Sequence, residues 1–362
     1  MRSFLRQHYL LILVLALWAL SVGGRIWANG IAFGLDYGIF QPDGAHYTYR
    51  TLLFLGHDST EAANQVVAWY QNHGFKNNTF DASLLTSDNE LTWGLVAPRV
   101  LYSILSMPFV FAFGIPGMLV IPALSLLILL LTVLFLGRLA NRTLIALLVI
   151  FAISVSPTVL RWMLANLTDS PLAALFALAV IVLARAEITT LSNSLLVFLV
   201  ALTSFTRFCL PIWLAIAAVL FLNLRRKDSL IVLVAGVLAA IPTLLMMPAN
   251  AVLPGSEPVG LVSNAVGIFS SFFKITFWEF AQLAVLDRVL LAMLVFAAAV
   301  SALTWREVNS QYYLAVLFSV LFTGAINGTV GVNFRYQLPV LGFMAWVLVL
   351  NSVKARDRLL GT

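Results

Sequence analysis

Residues 36–47 read Asp36-Tyr37-Gly38-Ile39-Phe40-Gln41-Pro42-Asp43-Gly44-Ala45-His46-Tyr47. This stretch lies in a polar, acid-rich segment, residues 29–98, between a first apolar run and a nearly unbroken series of further apolar runs. A chain this apolar has few places for chemistry that faces water. The segment is therefore the first candidate for a functional site, and it decides how the rest of the chain is interpreted.

The composition is that of an integral membrane protein. Of 362 residues, 61% are hydrophobic and only 10% are charged, whereas soluble domains have about 25% charged residues. The net charge of +6 does not indicate nucleic-acid binding, because in a membrane protein the positions of the basic residues matter more than their sum. The single cysteine, Cys209, excludes an intrachain disulfide.

The apolar runs predict an all-α polytopic fold with about ten transmembrane helices, since a span needs about 20 mostly apolar residues. Residues 1–362 are expected to form a single transmembrane domain without a separate soluble domain. The predicted spans are about 9–28, 114–137, 143–160, 171–185, 191–206, 208–224, 229–248, 287–305, 311–328 and 337–353.

The side of the membrane follows from the arginines, with one segment left open. If residues 99–113 lie at the outer interface, Arg138 and Arg142 face the cytoplasm, as the positive-inside rule prefers. If that segment spans the membrane, both arginines lie outside. The first choice makes both termini cytoplasmic, creates outer loops at 29–113 and 249–286, and points the site outwards. The expected location is the bacterial inner (cytoplasmic) membrane.

The two outer loops carry local signals of their own. Asp58-Ser-Thr-Glu61 resembles a capping box, and apolar residues at helical spacing from Ala63 to Tyr70 predict an amphipathic helix along the membrane surface. In the second loop, aromatic residues surround Lys274 and Glu279. They form either an anchor belt at the interface or a wall that guides a lipid chain.

Three aspartates could carry chemistry. Asp43 is expected at the mouth of an apolar bundle, where partial desolvation would raise its pKa towards that of a general base; alternatively, Asp43-Gly44 only forms a turn. Asp36 is a weaker version of the same case. Asp169, in Thr168-Asp-Ser-Pro171, is a helix N-cap, and together with Arg161 it could also form a polar site.

Two arginines lie where the chain is expected to meet the membrane. Arg335 begins the last predicted span, and Arg207 lies between two short spans. Arginine at membrane depth usually has a partner, and its planar fork suits phosphate. Snorkelling to the interface or pairing with a structural carboxylate are the alternatives. On this interpretation, Arg335→Ala weakens ligand binding far more than Arg99→Ala.

Metal binding is not favoured by the sequence. His46 and His57 could pair with Asp43 or Asp58, but Gly44 argues against the regular helix that would bring Asp43 and His46 together. No bound cofactor is therefore expected, although a divalent metal stays open.

Together these motifs resemble the GT-C superfamily of polytopic glycosyltransferases, which includes the protein O-mannosyltransferases and the bacterial aminoarabinose transferases. The resemblance rests on order and sidedness. Its elements are Asp43-Gly-Ala-His-Tyr47, Gly137-Arg-Leu-Ala-Asn-Arg142, Arg161 through Asp169-Ser-Pro171, Leu202-Thr-Ser-Phe-Thr-Arg207 and Arg335-Tyr-Gln-Leu-Pro339. Many relatives have an adjacent acidic pair in the first loop, whereas Gly44 follows Asp43, so the choice between Asp36 and Asp43 as base stays open.

The resemblance implies transfer of a sugar from a polyprenyl-phosphate donor to an extracytoplasmic glycan, lipid or protein, with inversion. Asp43 would be the general base, Arg335 would hold the leaving phosphate with help from Arg161 or Arg207, and Asp169 would orient the acceptor or a loop. Neighbouring candidates for substrate or phosphate binding are His46, Tyr47, Lys274 and Tyr336. The expected partners are membrane lipid, the donor and the acceptor, with no nucleic acid.

Three other functions stay open. A transporter or flippase of lipid-linked saccharides would need charges along a path through the bilayer, whereas the charges here cluster at the predicted outer face. A polymerase or ligase would use a polyprenyl-diphosphate donor. A non-catalytic partner in envelope assembly would keep the fold without the activity.

Overall fold

The computed structural model describes residues 2–31, 42–72, 82–86, 97–185, 189–246, 261–326 and 334–360. Within these residues the regular secondary structure is helical throughout. The α-helices in chain order are α1 (Arg2–Ile31), α2 (Pro42–Phe54), α3 (Ser59–Asn72), α4 (Leu101–Phe113), α5 (Val120–Leu139), α6 (Thr143–Val155), α7 (Pro157–Met163), α8 (Asp169–Leu183), α9 (Thr190–Ser204), α10 (Leu210–Leu222), α11 (Arg226–Met246), α12 (Leu261–Leu286), α13 (Arg288–Leu303), α14 (Val308–Ile326) and α15 (Val340–Leu360). Short 3₁₀ helices cover Ala82–Leu84, Ile115–Leu119 and Arg335–Gln337.

The helix lengths are compatible with a membrane protein. Among the described residues, His8–Ala28 and Ile115–Leu139 are long and apolar enough to cross a membrane. Several other apolar helices, such as α4 and α10, have 13 residues, which gives a length of about 20 Å against a hydrocarbon core of about 30 Å. The count of ten spans therefore remains a prediction.

Two predicted segments differ from the observed helices. The span expected at 143–160 is two helices, α6 and α7, which meet at an angle of 72°. Ser156 caps α7 by accepting from Val159 N, and Pro157 stands at its first position, so the chain starts a new helix there. The second outer loop, expected at 249–286, is a helix over its last 26 residues, α12.

The cap and the helix predicted after Asp58 are present in the first polar segment. Asp58 Oδ1 accepts from the backbone N–H groups of Thr60 and Glu61 and so caps α3, whose Ala63, Val66 and Tyr70 are buried. The α2 helix rests on α4, because Ser103 Oγ donates to the carbonyl oxygen of Tyr47 at 3.0 Å. The segment is thus a packed unit over the rest of the bundle.

The last helix, α15, lies at the centre of the bundle. Its packing brings its own start next to the start of α8. Residues 340–349 of α15 are all buried. At Gly342 a Cβ atom would lie 3.1 Å from the Cα of Ala177 in α8, so glycine permits the close approach of the two helices. Because α15 and α8 pack side by side, Arg335, just before α15, is placed beside Asp169 at the start of α8.

The predicted sidedness can be tested by cysteine labelling. Leu139→Cys lies at the end of α5 and is expected to react with a membrane-impermeant maleimide only after the cytoplasmic face is opened. Val285→Cys, on the predicted outer side, should react in intact cells. Both parent side chains are exposed, and the native Cys209 is buried. External labelling of Leu139→Cys would show that residues 99–113 cross the membrane.

Candidate functional site

A buried carboxylate with two arginines forms the centre of the site. Asp169 is the first residue of α8 and is 2% exposed. Its Oδ1 accepts from Nη1 of Arg207, and its Oδ2 accepts from Nε of Arg335 at 2.9 Å. Both carboxylate oxygens therefore accept hydrogen bonds from guanidinium groups. Such pairing offsets the energetic cost of burying the charges.

A third segment joins the centre through the same arginine. Nη1 of Arg335 donates to Oδ2 of Asp43 at 2.8 Å. The side chain of Asp43 is 59% exposed, whereas that of Arg335 is 9% exposed. Arg335 thus connects a buried carboxylate to one that solvent and a substrate can reach.

The ion pair changes the acidity of Asp43 in the direction opposite to the sequence expectation. Burial raises the pKa of the Asp43 carboxyl, but the charge and hydrogen bond of Arg335, together with the charge of Arg207, outweigh it, so the pKa lies below its ordinary value. Asp43 is therefore a carboxylate at neutral pH and a weak base. The expectation of a raised pKa was wrong because it took no account of Arg335.

Aromatic rings cover the arginines of this cluster. The guanidinium carbon of Arg207 lies 3.7 Å from the ring centroid of Tyr336, and that of Arg335 lies 5.7 Å from the same ring. Arg335 and Arg161 lie 5.6 Å and 4.8 Å from the ring centroid of Trp162. These cation–π contacts stabilise the positive charges and fix their orientation.

The start of α2 is held against the turn before α8. A Cβ atom at Gly44 would lie 2.1 Å from Oδ1 of Asn166, so only glycine allows this approach. Nδ2 of Asn166 donates to the hydroxyl of Tyr70 in α3 at 2.6 Å. The contacts of Gly44 and Tyr70 with one asparagine bring Asp43 within reach of Arg335.

The backbone beside Arg335 is held by a second buried carboxylate. Phe334 has a φ of 66°, in the left-handed region that is unusual for a bulky residue. Its N–H donates to Oε2 of Glu279, which is 1% exposed. Glu279 therefore stabilises the turn from which the Arg335 side chain reaches both aspartates.

Tyr47 and Arg99 extend the site away from the carboxylates. Tyr47 is 1% exposed, and its hydroxyl oxygen accepts from Nη1 of Arg99 at 3.3 Å and lies 3.5 Å from the hydroxyl of Thr168. His46 is half-buried, and burial lowers its pKa although Asp43 acts in the opposite direction. Neutral His46 and the Tyr47 hydroxyl thus add uncharged polar groups next to the charged cluster.

The structure brings together most, but not all, of the residues singled out from the sequence. Asp43, Asp169, Arg207, Arg335 and Tyr336 form one contiguous cluster. The Asp36 candidate lies outside the described residues. Lys274 is exposed on α12 and makes no ion pair among the described residues. The sequence therefore selected two aspartates and two arginines that lie in contact, and it also selected Lys274, which makes no ion pair with them.

Two local expectations were wrong. Thr168, not Asp169, is the N-cap of α8, and its side chain makes no capping hydrogen bond; the Asp169 carboxylate instead binds arginines. Arg161 makes no ion pair with Asp169, but its guanidinium lies over the Trp162 ring that Arg335 also contacts. Gly44 does not prevent a helix either, since α2 begins at Pro42.

Metal ligation finds no support from side-chain clusters in the described ranges. In those ranges no three His, Cys, Asp or Glu side chains lie close enough to hold one ion. The oxygens of Asp43 and Asp169 face guanidinium groups instead.

Comparison with known proteins adds no relative. No protein-family model, curated protein or solved structure matches the chain. The resemblance to GT-C glycosyltransferases therefore rests on the motifs and on the residues that they contribute to the cluster, and it remains a proposal.

Sequence reasoning missed Arg99, Glu279 and the Asn166 contact. Arg99 carried one usable signal, because an arginine on the predicted outer side departs from the positive-inside rule. The sequence signal for Glu279 was its position as a single carboxylate within an aromatic run. The contact between Asn166 and Gly44 had no signal that one sequence could reveal.

Removing the central carboxylate is expected to destabilise the fold strongly. Asp169→Asn leaves Arg207 and Arg335 without their buried partner, which costs about 3–5 kcal/mol. Thermal unfolding of the purified protein in detergent measures the loss. The matched control is Glu307→Gln, which breaks the more exposed ion pair with Lys354 and should cost about 1 kcal/mol or less. Equal effects would show that the Asp169 cluster has no special role.

Glu279 can be tested through the backbone bond that it accepts. Glu279→Ala removes the acceptor for Phe334 N–H and should lower stability by about 1–3 kcal/mol. Glu279→Gln keeps a side-chain oxygen in place and should retain most of the stability. If both variants unfold at the same temperature, the hydrogen bond to Phe334 is not what makes Glu279 important.

Proposed function

We propose that this protein is a membrane glycosyltransferase that moves a sugar from a polyprenyl-phosphate donor to an extracytoplasmic acceptor. The observation that supports it most is the link from Asp43 through Arg335 to Asp169 and Arg207. Motifs from four separate parts of the chain meet there, in the combination of one accessible carboxylate and several guanidiniums that the reaction needs. The acceptor would be a glycan, lipid or protein hydroxyl.

The chemistry would be a single displacement. The acceptor oxygen forms a bond to the anomeric carbon, while the bond from that carbon to the phosphate oxygen breaks and its electron pair stays on the phosphate. Asp43 takes the hydroxyl proton, and configuration inverts. Because the transition state of glycosyl transfer is oxocarbenium-like, the hydroxyl becomes acidic as the bond forms, and a weak base such as Asp43 suffices.

The positive potential of the cluster would stabilise the leaving group. Polyprenyl phosphate gains negative charge as it departs, and preorganised cations lower the energy of that charge. Arg335 and Arg207 contribute from within the cluster, and Arg161 contributes from its place over Trp162. Asp169 would keep the first two arginines oriented rather than react itself.

The proposal predicts that Asp43→Asn abolishes transfer from a polyprenyl-phosphate sugar. Loss of a general base lowers rates by about 10²–10⁴-fold, whereas insertion and folding should be retained because the Asp43 side chain is largely exposed. The assay follows labelled sugar from the donor lipid to acceptors in membranes that contain the protein. The matched control is Asp58→Asn, an exposed carboxylate of the same outer segment whose capping role asparagine can fill.

The pH dependence gives a second readout. Asp43 acts as a base only when deprotonated, and Arg335 holds its pKa below the ordinary value of an aspartate, so acidification should reduce the wild-type rate only at a pH lower than that at which an ordinary aspartate is protonated. Turnover of Asp43→Asn at the wild-type rate would remove Asp43 from the role and leave Asp36 as the candidate base.

A further inference from the structure

Arg99 is fixed at the rim of the cluster by contacts on both sides. Its Nη1 donates to the hydroxyl of Tyr47 in α2. Two residues later, the N–H of Leu101 donates to the carbonyl oxygen of Phe205 at 3.1 Å, close to Arg207 in the chain. Arg99 therefore lies between the segment that carries the proposed base and the segment that carries a cluster arginine.

The charge of Arg99 is not neutralised as those of the cluster arginines are. Arg335 and Arg207 both donate to carboxylates, whereas Arg99 makes no ion pair among the described residues. Its Nε is buried and has no hydrogen-bond partner there. A buried N–H group of a charged side chain is unfavourable unless it donates to an acceptor. An anionic ligand would supply that acceptor for Arg99.

The local charge balance points the same way. Arg99, Arg161, Arg207 and Arg335 bring four positive charges to a site with the carboxylates of Asp43 and Asp169. Two positive charges therefore remain in excess, on Arg99 and Arg161, neither of which forms an ion pair among the described residues. Of these two arginines, Arg99 is the one that contacts Tyr47 and precedes α4. A guanidinium group binds phosphate oxygens through two parallel N–H groups, and Nε with one Nη is a suitable pair.

The helix that follows Arg99 indicates that the anion belongs to a lipid. The α4 helix begins at Leu101, and its apolar side chains Ile104, Phe111 and Phe113 are exposed, Phe111 by 83%. Such a surface next to a cation suits an amphiphile with an anionic head and a hydrocarbon chain. Free phosphate would gain nothing from it.

We propose that Arg99 binds the phosphate group of the lipid-linked donor directly, while Arg335 and Arg207 chiefly hold the two carboxylates in position. This rests on the proposed glycosyl transfer for the identity of the lipid. It reverses the sequence expectation that Arg335 matters far more than Arg99 for donor binding. Tyr47, whose hydroxyl accepts from Arg99, orients the guanidinium.

The test compares the binding of two lipids that differ only in the head group. Native mass spectrometry of the purified protein in detergent measures binding of undecaprenyl phosphate and of undecaprenol. Wild type should prefer the phosphate. Arg99→Gln should lower binding of the phosphate by about 10- to 100-fold, the range for a charge-assisted hydrogen bond, and should leave undecaprenol binding unchanged. Arg99→Lys should restore part of the preference, because it keeps the charge without the fork.

Further measurements distinguish a loss of lipid binding from a loss of stability, and a lipid phosphate from free phosphate. Arg288→Gln changes an exposed arginine that donates to the Ala284 carbonyl oxygen and should not alter lipid binding. Unfolding temperatures of the Arg99 variants should stay near that of wild type. Inorganic phosphate is added as a competitor and should displace the lipid only weakly.

Three results would overturn the proposal. They are an unchanged phosphate preference in Arg99→Gln, no preference in wild type, or efficient displacement by inorganic phosphate, which would indicate a site for the free ion. None of them depends on sugar transfer. If Asp43→Asn kept full transfer activity while Arg99→Gln lost phosphate binding, the proposed base would fail and the lipid phosphate site would stand.

Discussion

The buried ion pair between Arg335 and Asp169 is the interaction on which the rest of the site depends. Arg335 belongs to the start of the last helix, and Asp169 to the start of α8, 166 residues earlier. A carboxylate that is 2% exposed is tolerated only because two guanidiniums meet it. Without this pair, neither Arg207 nor Arg335 would have a fixed direction.

Helix packing makes the pair possible, and the pair in turn positions the accessible carboxylate. The central α15 helix lies against α8 at Gly342, which brings the two helix starts to the same level. Glu279 holds the unusual backbone of Phe334, and Arg335 then reaches outwards to Asp43. The position of the proposed base, Asp43, thus depends on helix packing in the middle of the bundle.

The sequence predicted much of the fold from simple patterns. Apolar runs located the helices from α8 to α11, α13 and α14 within a few residues, and Asp58 marked the start of α3. The start of α15 was also located, but the helix continues seven residues beyond the predicted end of the span, to Leu360. The break at Ser156 was not predicted, although Ser156-Pro157 is a helix-start signal, because the apolar residues on both sides were interpreted as one span. The helix in 261–286 was also missed, since the aromatic and polar residues there were interpreted as a loop.

The candidate site was predicted as a set of residues but not as a set of contacts. Asp43, Asp169, Arg207 and Arg335 could be chosen because charges are rare in an apolar chain. Their pairing could not, since it joins positions 38 to 292 residues apart. The pKa of Asp43 is lowered rather than raised because of that pairing. The proposed role of Arg99 in phosphate binding could be recognised only once the ion pairs of Arg207 and Arg335 were known. Each of these errors comes from tertiary contacts that no local pattern records.

The most direct test of the central claim is the identification of lipids that remain bound to the purified protein, by extraction and mass spectrometry of wild type and Asp169→Asn side by side. Under conditions in which unfolding measurements show that both proteins are folded, we expect wild type to carry a polyprenyl-phosphate sugar and the Asp169→Asn protein, with its arginines released, to have lost it. A polyprenyl-diphosphate saccharide, ordinary phospholipid alone, or equal amounts of the same lipid in both folded proteins would contradict the proposal that this ion-pair cluster organises the site of a polyprenyl-phosphate donor.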